Sequence, residues 1–430
     1  MKRIESGSLK GLFALSPLAV FLAVYLVSSI LVGDFYKIPV SAAFLLACIY
    51  AVCISKGSLR ERIDRFSKGA GNPGILFMIW IFILAGAFST TAGDIGAIDA
   101  AVNLTLKTVP PRMLQAGLFL TSCLISFAIG TSVGTIVALA PIASGIAAQC
   151  GSAPAFMAAV IVGGALFGDN LSFISDTTIA ATRAMGCEMK DKFKVNIHIV
   201  LPAVLIVTAI YIIQGGDISA VTGAAASEWY KLIPYLLIIV LALVGLDVTA
   251  ILLIGIAVNA VIGFATGAFT WSGWLGSVGS GISGMADLII VTLLAGGLLE
   301  LIRFGGGLNY LIGVLTKGIK GKRGAELSIA GLVCVANLCT ANNTIAIITS
   351  GGISKDITDR FGLDPRKSAS IMDTFSCMVQ GLIPYGAQLL MASALTGCSP
   401  AAIIPFLYYP FIMGLCSLAA ILCRLPRKYS

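Results

Sequence analysis

Charge is what this chain has least of. Only 11% of its 430 residues are charged, against 58% hydrophobic, whereas a soluble globular domain carries about 25% charged residues. Histidine occurs once, as His198. No G-x-x-x-x-G-K-[ST] run is present, which excludes ATP drive of the P-loop kind. The eleven cysteines never form C-x-x-C, and most lie in apolar runs, as Cys48, Cys123, Cys334 and Cys416 do. Such thiols behave as small hydrophobes, so neither a disulfide framework nor a cysteine metal site is expected. Enzyme chemistry has little to stand on. An intramembrane aspartyl protease uses paired aspartates, often in G-x-G-D, but "ALFGD" lacks the first glycine and no partner motif occurs.

What the chain has in abundance is long apolar sequence, with a mean hydropathy of +0.98. A helical span needs roughly 20 mostly apolar residues, and no segment alternates as a transmembrane β-barrel strand would. The expected class is an all-α polytopic membrane protein. Apolar segments fall near 11–32, 38–55, 74–91, 115–149, 154–182, 197–213, 232–246, 248–268, 285–302, 325–350, 368–395 and 401–423. The first follows a charged head but no small-residue cleavage site, so it reads as a span and not as a removed signal.

The net charge of +8 reflects orientation in the bilayer through the positive-inside rule, not nucleic-acid binding. Suppose that 115–149 and 325–350 are re-entrant hairpins and the other ten segments each cross once. Lys and Arg then gather on one side, the cytoplasmic one, leaving only Lys37, Lys107, Arg112 and Lys231 of the 28 outside. Both termini fall on that side of the cell membrane. Five crossings per half make the second half inverted. The division is 1–213 as the first inverted repeat with hairpin 115–149, a linker at 214–231, and 232–430 as the second with hairpin 325–350. "GTSVGTIVALAPIAS" at 130–144 aligns with "CTANNTIAIITSGGI" at 339–353, and "GDNLSFISD" at 168–176 with "MDTFSCMVQ" at 372–380. This pairs Asp169 with Asp373, and Ser172 with Ser376.

Irregular backbone at membrane depth survives only where protein or a wet cavity satisfies it. Matched broken helices in inverted repeats point to a midplane substrate site. Gly130, Gly134, Gly168 and Pro384 are the expected helix breakers. Thr131, Ser132 and Thr135 on the first hairpin, with Thr340, Asn342, Asn343 and Thr344 on the second, supply the oxygens expected around a hard cation. Carboxylates are costly in a membrane and mark ion or proton paths, which singles out Asp169, Asp176 and Asp373. Na+ is expected on Asp169 and Asp176.

"ISFAIGTSVGTIVALAPIA" followed by "GGALFGDNLSFISDTTIAAT" resembles the NhaC-type Na+/H+ antiporters, which carry G-T-S-x-G-T and G-D-x-x-S-x-x-S-D-T-T segments. "DTFSCMVQGLIPYG" is similar to that family's L-I-P segment. The resemblance covers most of the chain. It implies a Na+/H+ exchanger working by alternating access, with Gly168, Asp169, Ser172, Ser175, Asp176 and Thr177 near the transport site. The partners are the lipid bilayer, Na+ and H+, with no cofactor beyond these transported ions and a homodimer as the candidate assembly. Relatives of this kind also move organic acids or amino acids, so a Na+- or H+-coupled carrier of a small organic solute is the alternative. No arginine lies inside the expected spans, which favours the inorganic ion.

Overall fold

The computed structural model describes residues 9–32, 39–172, 175–215, 228–244, 246–316 and 319–429. Every regular element among them is helical. Seven helices are long and apolar enough to cross a membrane, and a bent pair, Pro400–Phe406 with Tyr408–Leu422, makes up to eight. Three shorter apolar helices are Gly11–Tyr25, Val40–Ile54 and Trp229–Leu241. This is a multi-pass membrane protein. Most of the expected linker, and the start of the chain, lie outside the described residues.

The expected segments at 115–149 and 325–350 are each split. α1 (Leu114–Ile129) and α2 (Ser132–Cys150) are separated by Gly130 and Thr131. Gly130 ends α1 at φ 75° and Thr131 is extended at φ −142°. The left-handed turn suits glycine, which has no Cβ to clash. α3 (Pro154–Leu171), C-capped at Ser172, and α4 (Asp176–Met185), N-capped at Ser175, follow, and then α5 (Met189–Gln214). In the second half come α6 (Gly321–Thr340) and α7 (Asn343–Phe361), split by Ala341 and Asn342, and α8 (Pro365–Leu382) and α9 (Ala387–Thr396). Ala341 takes the left-handed turn at φ 50°, a conformation that costs a non-glycine residue roughly 1–2 kcal/mol. Its carbonyl is held by Gln380 Nε2 at 3.1 Å.

The helix boundaries set one register between the halves. α2 and α7 have 19 residues each, α3 and α8 have 18, and α4 and α9 have 10. Each partner starts 211 residues later (343 − 132, 365 − 154, 387 − 176). α3 and α8 both carry proline at their first position, where its missing N–H costs nothing.

This register corrects part of the sequence alignment. Asp169 corresponds to Gln380, not to Asp373. Asp373 lies inside α8, ten residues before the break at Ile383–Gly386. The two identities in "MDTFSCMVQ", Asp373 and Ser376, suggest one alignment, while the helix ends give another. Two of the expected helix breakers are also corrected. Gly134 is the third residue of α2, and Gly168 lies in the last turn of α3. Gly168 serves close packing instead, since a Cβ there would sit 2.1 Å from the Ser126 carbonyl carbon on α1. With Gly164 it forms a small-x-x-x-small face that lets the helices touch, and Ser126 Oγ bonds the Ala165 carbonyl across that contact. The bond from Asn337 Nδ2 to the Ser376 carbonyl, 2.6 Å, stands 211 residues on. Gly130 and Pro384 do lie at breaks.

Outside the spans, Leu59–Ala70 is an amphipathic helix opened by a capping box of Ser58 and Glu61. The Ser58 backbone and side-chain hydrogen bonds hold the Glu61 carboxyl below its ordinary range.

Candidate transport site

The breaks converge on Asp169, which ends up 6% exposed near the end of α3. Its carboxylate does not cap α4, the next helix in sequence; the Ser175 side chain caps that one. Asp169 instead closes the open N-terminal end of α2. Oδ1 accepts the Ser132 backbone N–H at 2.8 Å, and Oδ2 accepts the Ser132 hydroxyl at 2.5 Å. A helix N-terminus presents unpaired N–H groups and partial positive charge, so a carboxylate is stabilised there. The second half contributes too, since Asn343 Nδ2 donates to Asp169 Oδ2 at 3.4 Å.

The main-chain carbonyl of Asp169 is bonded as well. Ser175 Oγ donates to it at 2.6 Å and Thr177 Oγ1 at 2.5 Å. These hydroxyls satisfy a main-chain carbonyl in the last turn of α3, where a helix runs out of N–H partners. Sequence reasoning placed the same residues around the ion by family likeness; the geometry gives them this backbone-satisfying work.

A cavity of about 280 Å³ opens beside the carboxylate. It is lined by Gly130, Thr131, Ser132, Asp169, Ser175, Asp176, Thr177, Asn342, Asn343 and Thr344, with Gln380, Gln388 and an apolar wall from Pro73–Asp94. The structure thus brings most of the expected residues to one place. Thr135, Thr340, Ser172 and Asp373 are not among those lining it. Thr135 donates to the Thr131 carbonyl and Thr340 to the Asn342 carbonyl, both within their own breaks. Ser172 is the buried C-cap of α3. Asp176 is exposed where the cavity meets a groove of about 560 Å³ between α4 and α7, and Arg183 stands further along that groove. Among the described residues no ion pair joins Asp176 to Arg183.

Several side chains bonded at or near the site gave no signal in the sequence. Gln380 Nε2 donates to Gln388 Oε1 at 2.8 Å, and Gln388 Nε2 donates to Ser132 Oγ at 2.9 Å. Ser132 in turn donates to Asp169, so a chain of hydrogen bonds runs from the second half's break to the carboxylate. Lys192 is the larger surprise. Counted among basic loop residues, it is 1% exposed and ion-paired with Asp373, itself 0% exposed. Lys367, also counted as a loop charge, is 1% exposed and pairs with Glu326 at 3.1 Å.

A profile described as the Na+/H+ antiporter family matches residues 8–216 and 218–425. The Na+/H+ antiporter NhaC of Bacillus subtilis (strain 168) is 25% identical over 83% of this chain and 84% of its own. The malate-2H+/Na+-lactate antiporter of the same organism is 23% identical over 92% of this chain and 91% of its own. Among solved structures, the YdaH transporter of Alcanivorax borkumensis covers 90% of this chain and 98% of its own, with 13% identity and a TM-score of 0.42.

Proposed function

The chain belongs to the Na+/H+ antiporter family, and from that premise we propose that it exchanges Na+ for H+ across the cytoplasmic membrane, with Asp169 as the shared carboxylate. The observation that carries the reading is the placement of this one group. Asp169 is buried, oriented by Ser132 and Asn343 from opposite halves, and exposed to a cavity that Asp176, Thr131 and Thr344 also line. Antiport requires that cation and proton compete. A carboxylate that binds either, but not both, enforces this with no further part, because a bound cation favours its charged form and burial favours its protonated form.

Alternating access follows from two halves that meet at the site. The shared 211-residue register supports inverted repeats at 1–213 and 232–430, with α1–α2 and α6–α7 folding back as re-entrant hairpins and both termini cytoplasmic. Asp176, at the mouth of the groove between α4 and α7, is the first carboxylate that an ion entering by that route meets.

One observation favours a second reading. A cavity of about 280 Å³ is much larger than a bare ion needs, since a water's share of liquid volume is ~30 Å³. Asn342, Asn343, Gln380 and Gln388 also line it. Both features suit Na+- or H+-coupled carriage of a small organic solute. The discriminating experiment is proton flux in proteoliposomes with Na+, K+, organic acids and amino acids added in turn. Proton movement driven by Na+ alone supports ion exchange. Movement that requires an organic solute supports the second reading.

A further inference from the structure

Lys192 presents three ammonium hydrogens, and three oxygens take them. One is the Asp373 carboxylate, one the Thr178 hydroxyl at 2.8 Å, and one the Asn170 main-chain carbonyl at 2.5 Å. The three oxygens and the ammonium come from four different places in the fold: Asp373 from mid-α8, Thr178 from the first turn of α4, Asn170 from the end of α3, and the ammonium from the first turn of α5. Asn170 is next to Asp169, so this cradle lies directly behind the cavity. A carboxylate, a hydroxyl and a main-chain carbonyl are oxygen donors of the kind that hard cations take. Asn196 completes the surroundings, donating to the same Asn170 carbonyl at 2.9 Å and accepting from Ser370.

We propose that the Asp373–Thr178–Asn170 cradle is a second cation site that the tethered ammonium of Lys192 permanently occupies, so that Lys192 withholds Asp373 from transported Na+. Two buried carboxylates, Asp169 and Asp373, would otherwise each hold a cation. The lysine supplies one of those cations covalently and leaves Asp169 to exchange the other. A bare buried charge is costly, and breaking such a pair from one side leaves an uncompensated ion. Removing the ammonium therefore creates demand for a cation from solution. The functional meaning rests on the reading of Asp169 given above. The cradle itself is tested by a difference between variants, which does not depend on that reading.

The experiment counts ²²Na+ bound per purified chain in the wild type, in Lys192→Ala and in Lys192→Ala with Asp373→Asn. Lys192→Ala is expected to bind one Na+ more than the wild type. The double variant is expected to lose that added ion, and methylammonium should displace it from the single variant by refilling the cradle. Lys192→Gln, which keeps most of the length and a donor but no charge, is measured if the alanine variant does not fold; it should show the same gain. An unchanged count in a folded variant, or an added site that survives Asp373→Asn, overturns the proposal. Failure of both variants to fold even with high Na+ or methylammonium also overturns it, because a soluble cation should then replace the tethered one. A wild type that binds no Na+ contradicts the role given to Asp169, while the gain of one ion on removing Lys192 still decides for or against the cradle.

Discussion

Asp169 reaches back 37 residues to hold the first peptide N–H of the helix that begins at Ser132, at 2.8 Å, and the Ser132 hydroxyl at 2.5 Å. One carboxylate thus ties the break after α3 to the break before α2. The same group borders the cavity. A structural tie and the proposed transport role therefore meet in a single side chain, and the useful experiments are those that separate them.

Ser132→Ala removes one of these two bonds and leaves the backbone N–H. It also takes away the acceptor used by Gln388. A hydrogen bond to a charged group contributes about 1.5–3 kcal/mol, so Na+ affinity should change by roughly tenfold or more. The check is the Na+ concentration dependence of proton flux, set beside a thermal melt to confirm folding. Unaltered Na+ dependence in a well-folded variant would detach Ser132 from the site.

Gly168→Ala probes packing alone. The added methyl would fall within 2.1 Å of the Ser126 backbone and 2.2 Å of its carbonyl oxygen. Backbone cannot yield as a flexible side chain can, and overpacking costs typically 1–3 kcal/mol. Thermal unfolding of the purified protein should show a clear loss of stability. A variant as stable as wild type would mean that α1 and α3 do not pack as described.

The topology has its own test. Cysteines introduced at Lys68 and at Lys190, which are both exposed, should be labelled from the same, cytoplasmic, side in whole cells and inverted vesicles. Labelling from opposite sides would require an odd number of crossings between them. The first broken pair would then span fully, and the inverted repeats would fail with it.

The sequence made the membrane class and the location of the breaks legible because both depend on composition. Apolar length, the clustered basic residues and the interruptions at Gly130 and Pro384 can all be read locally, whereas the end of α3, expected at Gly168, falls at Leu171. Register was not legible. Asp373 resembles Asp169 in sequence context, but the helix ends at Leu171 and Leu382 decide correspondence, and those depend on tertiary contacts. Lys192 was hidden for a related reason. It sits in a basic stretch with Lys190 and Lys194, and only the packing of α5 against α8 shows that one of the three faces inward. Gln380 and Gln388 carry no charge to flag them, so their link to Ser132 could be seen only once the halves were docked.

The central claim is that the Asp169 carboxylate carries the exchanged proton, and Asp169→Asn measures it most directly. Asparagine keeps the shape and one oxygen for the Ser132 N–H but cannot take up and release a proton. Reconstituted in proteoliposomes, this variant should fold like the wild type and show no detectable Na+-driven proton flux. Wild-type flux through Asp169→Asn would leave that carboxylate a purely structural tie and contradict the account.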